Sequence, residues 1–99
     1  MVHRLSPHAE ADLDDIWLYV AKDSGSMDVT TRLIDSITDR IVFLSGFPYA
    51  GRARDSDFGA GSRSLAVGEY VILYCIVNED ILILRVAHGR RDLKDLFDR

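Results

Sequence analysis

Basic residues gather near the C-terminus of this chain in a pattern suited to phosphate chemistry. His88, Arg90 and Arg91 follow directly on a strongly apolar segment. A histidine titrates near neutral pH and can therefore transfer a proton during a reaction. Arginine side chains stabilise the charge that develops on a phosphate group in a transition state. Cleavage of RNA by its own 2′-hydroxyl group would require both kinds of residue.

Two more arginines lie in residues 47–62, a stretch with three glycines that the sequence predicts to be one long loop. If this loop folds over the end of the last strand, its arginines join the C-terminal group. The resulting cationic cluster would comprise Arg52, Arg54, His88, Arg90 and Arg91. In a nuclease, His88 would act as acid or base while Arg91 and Arg63 hold the phosphate.

Each of these residues also has a purely structural interpretation. The ring of His88 can pack at the end of a strand and form one hydrogen bond there. Arg90 and Arg91 can be a solvated strand terminus. Arg85 interrupts the apolar segment, and a buried guanidinium without a partner is too costly to keep. The sequence therefore predicts an ion pair between Arg85 and an acid of a helix or loop.

The other polar groups do not indicate a metal or a cofactor. No Cys/His spacing typical of zinc occurs, and the single cysteine, Cys75, lies within an apolar strand, where it acts as a small hydrophobe. The predicted elements hold His3 and His8 far apart. The acids Asp12, Asp14 and Asp15 are interpreted as the solvated face of a helix.

The apolar segments predict a sheet that holds the basic residues. Residues 70–77 and 81–88 are almost continuously apolar and are separated by Asn78, Glu79 and Asp80, which predict a turn. Strands that are apolar on both faces belong in the centre of a covered sheet. Residues 63–67 alternate between polar and apolar, so three antiparallel strands follow one another as a meander.

Two helices precede these strands. Ser6 and Pro7 form a helix start, and apolar residues recur at helical spacing as far as Val20. A second helix begins near residues 26–28 and ends at Gly46. The short connection between them predicts an antiparallel helical hairpin. With an opening strand at residues 2–5, the expected fold is α+β, in the order βααβββ, with the hairpin on one face of the sheet.

Composition narrows the classes of function. The 99 residues suit a single domain, residues 1–99, and the formal net charge of −4 argues against direct sequence-specific nucleic-acid binding. No apolar run approaches the length of a membrane span, and the N-terminus lacks a secretory pattern. We therefore expect a cytoplasmic protein without a membrane partner.

Four motifs together resemble the ParE toxins of the ParE/RelE superfamily. They are SPHAEADLDDIW at residues 6–17, GRAR at 51–54, YVILY at 70–74 and RVAHGRRD at 85–92. The resemblance implies a toxin of a type II toxin–antitoxin system that inhibits DNA gyrase without catalysing a reaction. It also implies growth arrest, a role in plasmid stabilisation and neutralisation by a ParD-like antitoxin.

The resemblance gives the predicted surfaces a meaning. The cationic cluster, extended by residues 93–99, would bind the target. The apolar surface between the helical hairpin and the sheet would bind the antitoxin, through Leu13, Trp17, Val20, Tyr70 and Tyr74.

Two alternatives remain open at this stage. The related RelE toxins cleave mRNA on the ribosome, but this loop has arginines where the RelE pattern favours lysines, and no tyrosine follows Arg91. Compared with the RelE pattern, the basic cluster keeps its positive charge but has fewer groups that can transfer a proton. A binding surface is therefore favoured over an active site. The second alternative is an inactive remnant that only binds its antitoxin.

Overall fold

A computed structural model describes residues 2–89 and residue 92 of the chain. In chain order the elements are β1 (His3–Leu5), α1 (Pro7–Ser24), α2 (Met27–Gly46), β2 (Arg52–Ala53), α3 (Asp55–Phe58), β3 (Ser62–Val67), β4 (Tyr70–Val77) and β5 (Asp80–His88). The five strands form one sheet in the order β1-β5-β4-β3-β2, in which β1 runs parallel to β5 and the other pairs are antiparallel. The α+β class, the helical hairpin and the meander are confirmed.

Both long helices begin at the serines that the sequence indicates. Ser6 Oγ accepts a hydrogen bond from the Ala9 amide at 3.0 Å, and Ser26 Oγ accepts one from the Val29 amide at 3.2 Å. Such caps each stabilise a helix by about 1 kcal/mol. Gly25 follows α1 with a φ of 64°, which a glycine adopts without steric cost. The chain therefore reverses within two residues, and the two helices pack against each other.

The core lies between the helical hairpin and one face of the sheet. Ile37, Ile41 and Leu44 of α2 are fully buried against strand residues that include Ile72 and Ile83. Burying a side chain of this size stabilises the fold by roughly 1.5–3 kcal/mol. β4 and β5 occupy inner positions of the sheet, as their continuous apolar sequence predicts.

The prediction of an uninterrupted loop over residues 47–62 is wrong. This stretch contains the edge strand β2 and the single-turn helix α3, both held by Arg54. Arg54 pairs with Asp57 (Nε–Oδ2 2.8 Å) and donates to Ser64 Oγ at 3.2 Å, while Ser62 Oγ donates to the Arg54 carbonyl at 2.9 Å. These contacts join residues too distant in sequence for a local pattern to reveal them.

Arg85 forms the expected ion pair, and its partner corrects another prediction. Asp12 accepts hydrogen bonds from Arg85 Nε at 2.8 Å and Nη2 at 3.0 Å, and from the Val86 amide at 2.9 Å. β1 pairs with β5 only as far as Leu5, opposite Ile83, so α1 supplies the next acceptor along that strand. Asp12 is therefore a structural residue, whereas its helix neighbours at positions 14 and 15 are exposed.

The hydrogen bond with Asp12 raises the pKa of the Arg85 guanidinium above its ordinary value. The Arg85 side chain therefore stays positively charged at any pH near neutrality. Among the residues that the structure describes, none lies in a helix long and apolar enough to cross a bilayer.

Candidate functional site

A groove opens at the end of the molecule where the connected ends of α1 and α2 overhang the sheet. We call it the end groove; its volume is about 540 Å³. Its lining residues are Tyr19, Val20, Asp23, Val29, Leu33, Glu69, Tyr70 and His88. The two helices supply the apolar walls, while the start of β4 and the end of β5 form the floor.

The floor of the end groove is fixed by the pairing of β4 with β5. Tyr70 lies opposite His88 in this pair, and the two rings meet edge to face with their centroids 5.4 Å apart. His88 Nε2 is 3.5 Å from Glu69 Oε2, and the Gly89 amide donates to the Glu69 carbonyl at 2.8 Å. The aromatic surface of the groove is thus held by main-chain contacts on both strands.

The helical walls leave apolar area open to solvent. Val20 and Leu33 are half-buried and pack against the core, whereas Tyr19 and Val29 are about half exposed. A smaller recess of about 200 Å³ continues from the groove and shares Tyr19 and Tyr70 with it. A continuous apolar depression of this kind is typical of a surface that receives a peptide or protein partner.

The residues predicted to bind an antitoxin separate into three groups. Val20 and Tyr70 line the end groove, while Leu13 packs against the core and Trp17 is half-buried on α1. Tyr74 differs from the others, because its side chain is fully buried. Its hydroxyl donates to the Pro48 carbonyl at 2.8 Å and accepts from the Gly51 amide at 2.9 Å. Tyr74 therefore fixes a surface turn from inside the core.

Sequence reasoning missed five residues of the end groove, among them the apolar and aromatic side chains of Tyr19, Val29 and Leu33. Val29 and Leu33 belong to the apolar stripe of α2, which the periodicity assigns to the core. The short connection between the helices is the sequence feature that could have indicated these residues. It places the last turn of α1 beside the first turn of α2, so that apolar residues there converge at one end of the hairpin.

Of the predicted cationic cluster, the structure describes Arg52, Arg54 and His88, and it holds Arg52 apart from His88. Arg52 lies opposite Ser64, which pairs with Leu73, whereas His88 lies opposite Tyr70. The two residues are therefore separated by roughly 10 Å along the strands and roughly 14 Å across them. Arg54 is committed to its contacts with Asp57 and Ser64, and Arg90, Arg91 and residues 93–99 lie outside the described part of the chain.

Arg63 also lies away from His88. It pairs with Tyr74, four positions along β4 from Tyr70, which corresponds to about 13 Å. Its Nη2 donates to the Gly51 carbonyl at 2.6 Å and to the Tyr49 carbonyl at 3.2 Å, and its guanidinium lies 5.5 Å from the centre of the Tyr49 ring. Arg63 thus holds the same surface turn as Tyr74.

Within residues 2–89 and 92, no group of three or more His, Cys, Asp or Glu side chains is arranged to hold a metal ion. Cys75 is half-buried on β4, and burial raises the pKa of its thiol above the ordinary value. The thiol is therefore a poor nucleophile at neutral pH.

The sequence comparisons agree with this architecture. The family described as the ParE toxin of the type II toxin–antitoxin system parDE matches residues 4–93. The chain belongs to the ParE toxin family. Toxin ParE3 of Caulobacter vibrioides is 37% identical over 84 residues, which cover 83% of this chain and 80% of that protein. Toxin ParE1 of Mycobacterium tuberculosis is 30% identical over 90 residues, which cover 90% of each.

Solved structures show the same ParE/RelE fold. A chain from the chromosomal ParDE toxin–antitoxin system of P. aeruginosa superposes with a TM-score of 0.77 at 22% identity, covering 89% of this chain and 95% of that one. A chain of the RelBE2 toxin–antitoxin complex of Mycobacterium tuberculosis gives a TM-score of 0.63 at 26% identity, covering 88% and 95%. This ParE family member is therefore a toxin of the type II class.

Proposed function

We propose that this toxin inhibits DNA gyrase by binding to it, without a catalytic step, and that a ParD-like antitoxin neutralises it. The observation that supports a binding mode is the separation of Arg63 from His88. RNA cleavage requires a proton-transfer group and phosphate-binding cations around one reacting phosphate. Here the arginine of β3 is bound to two main-chain carbonyls, about 13 Å along the sheet from the histidine.

The environment of His88 also favours a binding role. The side chain of His88 is only 13% exposed, and its ring packs against Tyr70 beside Glu69. It forms part of the floor of an apolar groove, and Arg85, the nearest arginine before it on β5, is paired with Asp12. A histidine in this position contributes shape and one polar contact to a partner surface.

The end groove is the proposed antitoxin site. Peptide partners commonly bind small domains by laying an amphipathic helix into a groove or by adding a strand to a sheet. Val20, Val29, Leu33 and Tyr70 would contact the apolar side chains of such a segment. One solved structure of similar fold comes from a ParDE toxin–antitoxin system and another from a RelBE2 toxin–antitoxin complex. Both support an antitoxin partner, and the first supports one of the ParD type. Gyrase acts on the chromosome, so the toxin would act in the bacterial cytoplasm.

The test is a comparison of two purified targets. The toxin is added to DNA gyrase during supercoiling of a relaxed plasmid, and separately to a reconstituted translation reaction with labelled mRNA. We expect loss of supercoiling with accumulation of cleaved plasmid, and intact mRNA. Cleaved mRNA with unaffected gyrase would instead establish the RelE-type alternative.

A single substitution separates the two mechanisms in cells. His88→Gln keeps a polar side chain of similar size but removes the imidazole that the nuclease mechanism would use for proton transfer, so the gyrase mechanism predicts that growth arrest remains. A ribosome-dependent nuclease that uses His88 would lose arrest. Expression of the unaltered toxin serves as the reference, and absence of arrest in that reference would identify an inactive remnant.

A further inference from the structure

A second surface lies on the side of the molecule where α2 ends and the chain turns towards β2. It consists of Arg40, Phe43, Phe47, Tyr49 and Arg63, and we call it the arginine–aromatic flank. Arg40 lies over the Phe43 ring at 5.4 Å, the rings of Phe43 and Phe47 stack at 4.9 Å, and Arg63 lies over the Tyr49 ring at 5.5 Å. Each of the two arginines thus lies over an aromatic ring of the flank.

Two of the three aromatic side chains of the flank are exposed to solvent. Phe47 is 61% exposed and Tyr49 is 70% exposed, and the neighbouring Val42 is also more than half exposed. Exposed apolar side chains are ordinary when they are scattered, but a contiguous group marks an interaction surface. Tyrosine, phenylalanine and arginine are also the residues enriched in the parts of interfaces that contribute most to affinity.

The turn that carries these rings is held rigidly from inside the core. Tyr74 Oη donates to the Pro48 carbonyl at 2.8 Å and accepts from the Gly51 amide at 2.9 Å. Arg63 adds the two hydrogen bonds to the carbonyls of Tyr49 and Gly51. The fully buried Tyr74 and the half-buried Arg63 thus both bind the main chain of this turn, while Phe47 and Tyr49 beside it face solvent. Such pre-organisation lowers the entropy that a binding surface loses when a partner docks.

The charge of the flank differs from that of the whole chain. The flank contains two arginines, Arg40 and Arg63, and no Asp or Glu, although the protein has 16 acidic residues and a formal net charge of −4. A partner surface rich in carboxylates would therefore be attracted to this flank and repelled by the acidic first helix. Electrostatic complementarity of this kind orients two proteins and accelerates their association.

The flank is distant from the end groove. Val29 lies at the start of α2 and Phe47 directly after its end, so that 18 residues separate them. At about 1.5 Å per residue, the distance along the helix is roughly 27 Å. A segment of antitoxin seated in the end groove therefore leaves the flank as a separate surface.

We propose that the arginine–aromatic flank is the surface with which the toxin docks onto its protein target. Phe47 and Tyr49 enter an apolar recess of that target, and Arg40 faces carboxylates at the rim. The inference rests on the proposed function, in that the toxin acts by binding a protein. A nucleic-acid partner is disfavoured by the formal net charge of −4, because proteins that bind nucleic acids usually carry a basic excess.

The experiment uses the double variant Phe47→Ala/Tyr49→Ala and the single variant Arg40→Glu. Leu18→Ala is the matched control, since Leu18 is a similarly exposed apolar residue on α1 that lines neither surface. Growth arrest, affinity for purified gyrase and affinity for the cognate antitoxin are measured for each. Thermal unfolding verifies that all four proteins, including the parent, remain folded.

We expect the double variant to bind gyrase at least about 30-fold more weakly and to lose growth arrest, with antitoxin affinity unchanged. Arg40→Glu should weaken binding less and abolish its salt dependence, and the control should match the parent. Full growth arrest by the double variant, or a loss of antitoxin binding in its place, overturns the proposal.

The proposed function can fail independently. If the parent does not bind gyrase but the double variant still loses growth arrest, gyrase is the wrong target, and the flank remains the docking surface for another protein. If parent and double variant inhibit gyrase equally, the function stands and the flank is wrong.

Discussion

Tyr74 approaches Gly51 so closely that the glycine cannot be replaced without moving the core. The Gly51 amide donates to Tyr74 Oη, and a Cβ atom built on Gly51 would lie 2.5 Å from that oxygen and 2.8 Å from the Ser64 carbonyl. Carbon atoms do not approach oxygen atoms to such distances, so either the turn or the tyrosine would shift. The glycine is required here by space rather than by backbone conformation.

Replacement of Gly51 by alanine should therefore destabilise the protein by about 2–3 kcal/mol, as overpacking of a rigid site does. Urea unfolding followed by circular dichroism measures this loss. Gly46→Ala is the control, since a Cβ on Gly46 meets no atom within 4 Å. Equal stability of the two variants would show that the turn is not held by Tyr74.

Replacement of Asp12 by alanine should cost about 2–3 kcal/mol of unfolding free energy. The change leaves the half-buried Arg85 guanidinium without its carboxylate and the Val86 amide without its acceptor. Asp14→Ala, two residues away on the exposed face of the same helix, should change stability by less than about 0.5 kcal/mol. Similar losses for both variants would assign the effect to helix charge instead of the ion pair.

Replacement of Val29 by glutamate should weaken antitoxin binding while leaving growth arrest in place. Val29 is about half exposed on the wall of the end groove, so the charge is tolerated by the free toxin but is costly once a partner covers it. We expect at least about a 30-fold loss of antitoxin affinity by calorimetry. Leu18→Glu, outside the groove on α1, should bind the antitoxin normally; a loss of affinity there too would indicate a general charge effect.

The reactivity of Cys75 should depend on pH and on folding. Because burial raises the pKa of the thiol, the thiolate fraction at a given pH is smaller in the folded protein than in the unfolded chain. Alkylation by iodoacetamide should be slow near pH 8 and accelerate in urea. The same shift predicts stability that is constant below the ordinary thiol pKa and falls as pH rises above it. Cys75→Ala should remove that part of the pH dependence.

The sequence predicts the parts of this protein that depend on local pattern. Ser6 with Pro7, and Ser26, mark the helix starts, and the apolar runs identify β4 and β5 as inner strands. Arg85 could be assigned an ion pair because an isolated charge in an apolar strand requires one. Each of these inferences depends on residues that are close in the chain, or on the free-energy cost of burying an unpaired charge, which does not depend on the fold.

The parts that sequence does not reveal depend on contacts between distant segments. No local sequence pattern distinguishes Asp12 from the other acids of α1. Asp12 accepts the hydrogen bond of the Val86 amide because β1 ends before it reaches that position on β5. Tyr74 and Tyr70 share one strand face, yet one anchors a turn from the core and the other lines the end groove. The separation of Arg52 and Arg63 from His88 follows from the register of the strands. The sequence of the long segment at residues 47–62 does not define that register.

The pairing of the first strand with the last has a consequence for how the toxin is made. The Ile81 amide donates to the Val2 carbonyl at 2.8 Å, and the Ser6 amide donates to the Ile83 carbonyl at 2.9 Å, so β1 pairs only with β5, a strand that is synthesised after all the other elements named above. Such long-range pairing forms late in folding. A nascent chain from which β5 has not yet emerged would therefore lack a finished sheet. The floor of the end groove, which includes His88 at the end of β5, would likewise be complete only once that strand has left the ribosome.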